Sequence, residues 1–143
     1  MERYASDSNN MYSYKMKNNL FIKKDFISHS GIPLQWKIDC DVLSDEDIET
    51  CAWLIAQKIV FGAVIGIPTG GLRLEKALWK YTSNDSQTIL IVDDVLTTGK
   101  SMENGFANLT IRKIYPDKNI KGAVIFARTI PPSWIMPLFQ CCI

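Results

Sequence analysis

The sequence predicts an α/β fold built on a mostly parallel sheet, and two patterns carry that prediction. Three short apolar segments rich in β-branched residues, 63–67, 89–92 and 121–127, are typical of strands buried on both faces. Helical patterns lie between these segments, and such alternation is typical of a parallel sheet with crossover connections. The chain has 143 residues, of which 47% are hydrophobic and 22% charged, as expected for one globular domain.

The N-terminal third combines a polar arm with a predicted hairpin. Residues 1–19 are rich in Asn, Ser, Tyr and Lys, and we expect a flexible arm there. Residues 20–41 alternate apolar and polar side chains in places and are interrupted by Gly31 and Pro33. This pattern predicts two short strands, and residues 20–43 would form a small hood.

Three helices and an irregular tail complete the predicted core. The first helix begins after Ser44, where a hydroxyl cap and acids in the first turn precede a periodic apolar face. Helical patterns also cover 72–81 and 100–115, with a polar loop at 82–87. The apolar face of the first helix comprises Ile48, Cys51, Ala52, Ile55 and Ile59.

We therefore predict a single domain with a core at 44–128 and a tail at 129–143. The tail contains three prolines, and we expect it to be irregular. Its apolar side chains would form a sizeable exposed patch, so we expect the tail to pack on the domain or on a second subunit.

Charge and composition exclude several functions. A net charge of +1 gives no broad electrostatic case for nucleic acid or an anionic membrane. No apolar run approaches the roughly 20 residues of a membrane span, and we find no signal peptide. The four cysteines show no CxxC spacing and there is one histidine, which argues against zinc. Adjacent Cys141 and Cys142 indicate reduced thiols in a cytoplasmic protein.

An acid pair directly follows the second apolar segment, within residues 89–101, ILIVDDVLTTGKS. Ligand sites of open α/β sheets lie at the carboxyl ends of the strands, where we expect Asp93 and Asp94. We expect two ionised acids to face solvent or a polar ligand, because burying them is costly. Adjacent carboxylates can accept hydrogen bonds from a vicinal diol or bind hydrated Mg²⁺.

The next turn, Thr97 to Ser101, opens a helix whose first N–H groups and dipole favour an anion. Gly99 lets a phosphate approach the backbone, and the hydroxyls add donors. A diol site followed by a phosphate site suits a ribose 5-phosphate. The alternative that stays open is an Asp pair that merely caps a turn.

A second glycine-rich turn follows the first apolar segment. Gly70 and Gly71 can adopt positive φ and turn their amides toward an anion, and Arg73 is close enough to reach the same group. The alternative is a plain strand-to-helix turn.

Residues 89–101 resemble the phosphoribosyl-pyrophosphate signature of type I phosphoribosyltransferases, and residues 66–72 resemble the pyrophosphate loop of the orotate branch. Residues 26–39 resemble the hood segment of orotate phosphoribosyltransferases, with His29 where the family usually has lysine. The resemblance implies the type I phosphoribosyltransferase fold, with a central, mostly parallel sheet flanked by helices and a small N-terminal hood.

The resemblance also implies roles for the matching residues. Asp93 and Asp94 would bind the ribose 2- and 3-hydroxyls as the catalytic acids, and would hold Mg²⁺ directly or through water. The 5-phosphate would be bound by Thr97, Thr98, Gly99, Lys100 and Ser101. Pyrophosphate would be bound by Thr69, Gly70, Gly71, Arg73 and His29, and the base by Trp36, Lys37 and Arg128.

The implied activity is phosphoribosyl transfer from 5-phosphoribosyl 1-pyrophosphate to an orotate-like nitrogenous base, in a homodimer. The sequence departs from this pattern in one interval. Orotate enzymes carry a long loop that supplies lysines and a histidine, whereas here sixteen residues, 73–88, fill the interval and 82–87 contains no cation. Lys76 and Lys80, at i and i+4, indicate a solvated helix face.

Three functions therefore stay open. One is an orotate-like phosphoribosyltransferase, and another is a non-catalytic or regulatory protein of the same fold that binds a phosphoribosylated metabolite. The third, a generic flavodoxin-like binder, would make the acid pair and the glycine pair coincidental. His29, Trp36 and Arg128 each have a structural alternative, namely a structural histidine, hood packing and an ion pair.

Overall fold

The computed structural model of the protein describes residues 19–28, 31–111 and 119–141. The predicted N-terminal arm lies, apart from residue 19, outside these residues. The chain divides into two compact units, the first ending at Ser44 and the second beginning at Asp45.

The first unit contains the predicted hairpin. Strand β1, Phe21–Ile27, pairs antiparallel with strand β2, Pro33–Ile38, and a register irregularity lies between Lys23 and Phe26. Gly31, in the connection, has a φ of +82°, a conformation that side chains other than glycine rarely adopt. A short 3₁₀ helix, Cys40–Val42, follows β2.

The second unit is built on a four-stranded parallel sheet, which confirms the predicted fold class. Its strands, in spatial as well as sequence order, are β3 Ala63–Gly66, β4 Thr88–Leu96, β5 Asn119–Ala127 and β6 Ile135–Gln140. The two central strands are almost entirely buried, as their continuous apolar sequences require.

Three helices accompany this sheet: α1 Asp45–Lys58, α2 Leu72–Leu78 and α3 Lys100–Ile111. A 3₁₀ turn, Trp79–Tyr81, continues α2. The predicted apolar face of the first helix is confirmed, since all five of its residues are buried. The predicted continuation of α3 to residue 115 lies outside the described residues. Within those residues, no helix is long and apolar enough to cross a membrane.

One core cluster joins β4, β5, β6 and α3. Trp134 packs against this cluster and lies 5.1 Å from Phe106 of α3, measured between ring centroids. The buried members are Ile91, Leu96, Met102, Val124, Ala127 and Ile135. The carboxyl half of β4 and the start of α3 are therefore held together by the same apolar contacts.

Two sequence predictions about strands need correction. The tail is not irregular, because Ile135–Gln140 forms β6, which pairs with β5 at the edge of the sheet. Pro137 is compatible with an edge strand, which has a neighbour on one side only. Strand β4 is also longer than the predicted 89–92, and it continues through the acid pair to Leu96.

The core position of Ile55 gives a stability prediction. Its side chain is 0% exposed, so Ile55→Ala should leave a cavity and lower the free energy of unfolding by about 2–5 kcal/mol. Val60→Ala is the matched control because Val60 is 68% exposed, and it should change that free energy by less than about 0.5 kcal/mol. Urea unfolding followed by circular dichroism measures both, and equal losses would contradict the described packing.

Candidate functional site

The acid pair lies where β4 extends past its neighbour. The last residue pair between β3 and β4 is Gly66 with Val92, whereas Asp93 still pairs with Val124 of β5. Asp93 and Asp94 therefore lie beyond the carboxyl end of β3. The sequence predicts a ligand site at this end of the sheet, where the strands have their carboxyl ends.

Asp93 is buried, so of the two expected surroundings, solvent or a polar ligand, it does not face solvent in the folded chain. Its side chain is 8% exposed. Burial, followed by the negative charge of Asp94, raises the pKa of Asp93 from 3.8 to about 8. The Asp94 N–H, which donates to Asp93 Oδ1 over 2.9 Å, opposes this rise. Near neutral pH, Asp93 is therefore protonated, and the proton relieves the cost of burying two charges.

Asp94 is half-buried and lies against the loop that follows β3. Its Oδ1 accepts a hydrogen bond of 2.7 Å from the Val95 N–H. On another side lies Gly70, where a β-carbon would stand only 2.6 Å from Asp94 Oδ1. The acid pair and the glycine-rich turn predicted for pyrophosphate are thus in contact.

The loop at 67–71 is held against β4 by its own backbone. The Ile67 N–H donates to the Val92 carbonyl over 2.8 Å, and the Gly71 N–H donates to the Ile67 carbonyl over 2.8 Å. The peptide bond between Pro68 and Thr69 is cis. Pro68 and Thr69 are exposed, so the tip of the loop faces solvent.

Neither Gly70 nor Gly71 uses the positive φ that glycine can adopt. Gly71 has a φ of −79°, and the only described glycines with positive φ are Gly31 and Gly99. Glycine is needed at position 71 because the loop backbone lies very close to β4 and to Ile67. A β-carbon there would lie 2.5 Å from the Val92 carbonyl oxygen and 2.6 Å from Ile67 N. The turn is therefore tightly packed against the strand.

The loop predicted to bind phosphate is open. Gly99 has a φ of +85°, and a β-carbon there would meet no atom within 4 Å. Its carbonyl accepts the Glu103 N–H over 2.9 Å, so α3 effectively starts at this glycine. Thr98, Lys100 and Ser101 are exposed. The first turn of α3 thus offers its amides and hydroxyls to an anion.

The end of β5 supports the phosphate loop, which the sequence does not reveal. The Arg128 N–H donates to the Leu96 carbonyl over 2.9 Å, and Thr129 Oγ1 donates to the Thr97 carbonyl over 3.2 Å. Arg128 is half-buried, and burial lowers the pKa of its guanidinium. In the sequence, Thr129 is marked only by its position: it is a hydroxyl residue that follows the third apolar segment and Arg128.

Two predicted cationic side chains pair with acids of α1. Arg73 Nη2 lies 3.1 Å from Asp45 Oδ1, and Lys80 pairs with Glu49. Lys80 is exposed, which fits the solvated helix face predicted for it, and so is Lys76. The part of Arg73 in pyrophosphate binding stays a prediction.

The short polar loop at 82–87 lies at the opposite end of the sheet, beside the amino end of β4. Ser83 N–H donates to the Phe61 carbonyl over 2.8 Å, and Ser86 Oγ contacts the Val60 carbonyl at 3.4 Å. The loop therefore ends at the amino end of β4, about 16 Å along the strand from Asp93 at roughly 3.3 Å per residue. This loop does not reach the acid pair.

The predicted hood contacts belong to the first unit. Trp36 lies in β2 with its ring centroid 6.5 Å from that of Phe21, which fits hood packing, and Lys37 is half-buried. His29 lies outside the described residues. Base and pyrophosphate contacts from these three residues stay predictions.

Comparison with solved structures shows the fold. The orotate phosphoribosyltransferase of Aeropyrum pernix is 18% identical with a TM-score of 0.65, over 90% of this chain and 92% of that one. The orotate phosphoribosyltransferase of Mycobacterium tuberculosis, solved with inorganic phosphate, is 12% identical with a TM-score of 0.63, over 95% and 96%. The adenine phosphoribosyltransferase of Leishmania donovani is 11% identical with a TM-score of 0.58, over 94% and 81%.

The resemblance seen in the sequence is thus confirmed as a shared fold, that of the type I phosphoribosyltransferases. No protein-family model matches the sequence, and no curated protein matches it.

The buried acid predicts a pH dependence of stability. The folded chain holds the Asp93 proton up to about pH 8, whereas an unfolded Asp loses it near 3.8. The contribution of Asp93 to the free energy of unfolding is therefore full below that lower value and is lost as pH rises toward 8, by about 1.4 kcal/mol per pH unit. Urea unfolding between pH 4.5 and 9 measures it.

Asp93→Asn should remove this fall, so that the variant gains stability relative to the wild type as pH rises. Asp85→Asn, which removes a carboxyl group from the exposed loop at 82–87, is the control for general charge effects. Parallel curves for the wild type and Asp93→Asn would show that Asp93 does not hold a proton in the folded chain.

Proposed function

We propose that this protein binds 5-phosphoribosyl 1-pyrophosphate and transfers its phosphoribosyl group to a nitrogenous base, in the manner of orotate phosphoribosyltransferases. One observation carries the proposal: the acid pair and an open turn at the start of a helix are joined by two residues at the carboxyl ends of the strands, in a sheet with this fold. A pentose 5-phosphate carries a vicinal diol and a phosphate, the two groups that these two segments suit.

The acid pair suits a vicinal diol because its two carboxyl groups are adjacent. Asp93, when protonated, can donate one hydrogen bond and accept another, and the Asp94 carboxyl oxygens can accept from the sugar hydroxyls. The Val95 N–H holds the Asp94 carboxylate in place, and hydrogen bonds to charged groups contribute about 1.5–3 kcal/mol each. This arrangement would orient the sugar ring.

The phosphate would be bound at the start of α3. Space is open at Gly99, and the neighbouring Thr98, Lys100 and Ser101 are exposed. Backbone N–H groups of the first turn, the two hydroxyls and the Lys100 ammonium would contact the phosphate. Thr129 and Arg128 fix the preceding turn through Thr97 and Leu96. Binding at both ends would hold the ribose with its C1 position presented for reaction.

Magnesium fits the acid pair only as an ion shared with substrate. Among the described residues, no group of three or more His, Cys, Asp or Glu side chains could hold a metal. Mg²⁺ commonly takes one or two carboxylates and completes its shell with water and phosphate oxygens, so Asp94, together with Asp93 once it has lost its proton, would hold it. When bound, it would supply positive charge beside the sugar hydroxyls and the pyrophosphate.

In the proposed reaction, a ring nitrogen of the base forms a bond to C1 while the bond from C1 to the pyrophosphate oxygen breaks. The base nitrogen loses its proton, and pyrophosphate leaves with the bonding electrons. The described residues hold and orient the donor for this displacement, and burial of Asp93 limits the water near the diol.

A non-catalytic phosphoribosyl-binding protein is the second candidate, and the loop at 82–87 favours it. That loop lies at the far edge of the sheet and contains no cation. Arg73 and Lys80 already pair with acids. Binding of the sugar phosphate needs none of these groups, whereas neutralising a departing pyrophosphate does.

We also propose a homodimer in the cytoplasm, on the resemblance to the family and on the apolar residues of the tail. Sedimentation equilibrium tests the dimer, and a single species at the monomer mass would contradict it.

Calorimetric titration with 5-phosphoribosyl 1-pyrophosphate and Mg²⁺ tests the site. Asp93→Asn combined with Asp94→Asn should weaken binding at least about 100-fold, because both carboxyl groups proposed to bind the sugar hydroxyls are changed. Asp85→Asn, at the far edge of the sheet, should leave affinity unchanged. Unaltered affinity in the double variant would refute the assigned site.

A base panel then separates the two candidates. If the protein is a transferase, at least one base should release pyrophosphate in stoichiometric amount from bound donor, measured by a coupled pyrophosphate assay. Donor binding without release for any base, orotate included, would support the non-catalytic candidate.

A further inference from the structure

Gly70 stands where a side chain would displace the carboxylate of Asp94. A β-carbon on Gly70 would lie 2.5 Å from Asp94 Cγ and 2.6 Å from Oδ1, closer than such carbons pack in proteins. Gly70 does not have a positive φ, so backbone conformation alone does not require glycine there. Glycine is required at position 70 because this position lies against the Asp94 carboxylate.

We propose that Gly70 is a positioning residue for Asp94, so that the loop after β3 sets where the diol-binding carboxylate stands. This assignment differs from the sequence prediction, in which Gly70 binds pyrophosphate through its amide. The effect on ligand binding rests on the proposed function, because it requires Asp94 to bind the sugar hydroxyls.

Contacts on both sides of Gly70 hold the loop against β4. The Ile67 N–H is bonded to the Val92 carbonyl, and Gly71 packs against that same carbonyl with no room for a β-carbon. A methyl group at position 70 must therefore be accommodated by the Asp94 side chain. Moving that carboxylate would also disturb its 2.7 Å hydrogen bond from the Val95 N–H.

The phosphate half of the site should be independent of this contact. Space around Gly99 is open, and the turn is fixed from the other side by Thr129 and Arg128. A change at Gly70 should therefore act on the diol alone. A general loss of structure would instead weaken both halves, so the two ligand groups provide a selective readout.

Gly70→Ala should weaken binding of ribose 5-phosphate at least 10-fold, and should leave binding of inorganic phosphate within about twofold, as measured by calorimetry. Leu72→Ala is the control, because Leu72 is exposed two residues along the chain and should leave both affinities unchanged. Loss of both ligands to the same degree, or of neither, would overturn the proposal.

A stability cycle tests the same contact without any ligand. Gly70→Ala should lower the urea midpoint of unfolding in the wild-type background. In an Asp94→Ala background the obstructing carboxylate is gone, so the same change should shift the midpoint by less than half as much. Equal shifts in the two backgrounds would overturn the positioning role.

The two experiments distinguish failure of the proposed function from failure of the positioning role. If the wild type binds no ribose 5-phosphate, the proposed function fails, and the stability cycle still decides whether Gly70 positions Asp94. If the wild type binds the sugar phosphate and the cycle shows no coupling, the proposed function stands and the positioning role fails.

Discussion

The candidate site depends on one backbone hydrogen bond, from the Ile67 N–H to the Val92 carbonyl. Strand β3 ends at Gly66, and this bond turns the following residues along the exposed flank of β4 instead of away from it. The loop therefore occupies the edge that a longer β3 would have covered. Contact between Gly70 and Asp94 follows from that placement.

Burial of a carboxyl group is unfavourable unless the group is neutral or paired. Here the chain places two acids together at the end of a buried strand, and a retained proton makes the arrangement compatible with folding. A proton on Asp93 removes one of the two negative charges that the end of the strand would otherwise hold.

The architecture was largely predictable because periodicity and strand composition report burial directly. The five buried residues predicted for the first helix, of which Ile59 directly follows α1, and the three apolar strands are examples. Strand β6 was missed because prolines obscure a strand that needs a partner on one side only. For the site, the sequence predicted the acid pair and the open turn from their residue types. The protonation of Asp93, the contact at Gly70 and the support from Thr129 depend on distances between segments that no local pattern encodes.

The placement of the turn at 83–86 has a practical consequence. Asn84 and Asp85 are exposed and are held at the amino end of β4 by bonds from Ser83 and Ser86. A fluorophore attached through a cysteine introduced at position 84, or a surface tether joined there, would stand a strand's length away from the acid pair. Position 84 therefore suits immobilisation that leaves the candidate site free.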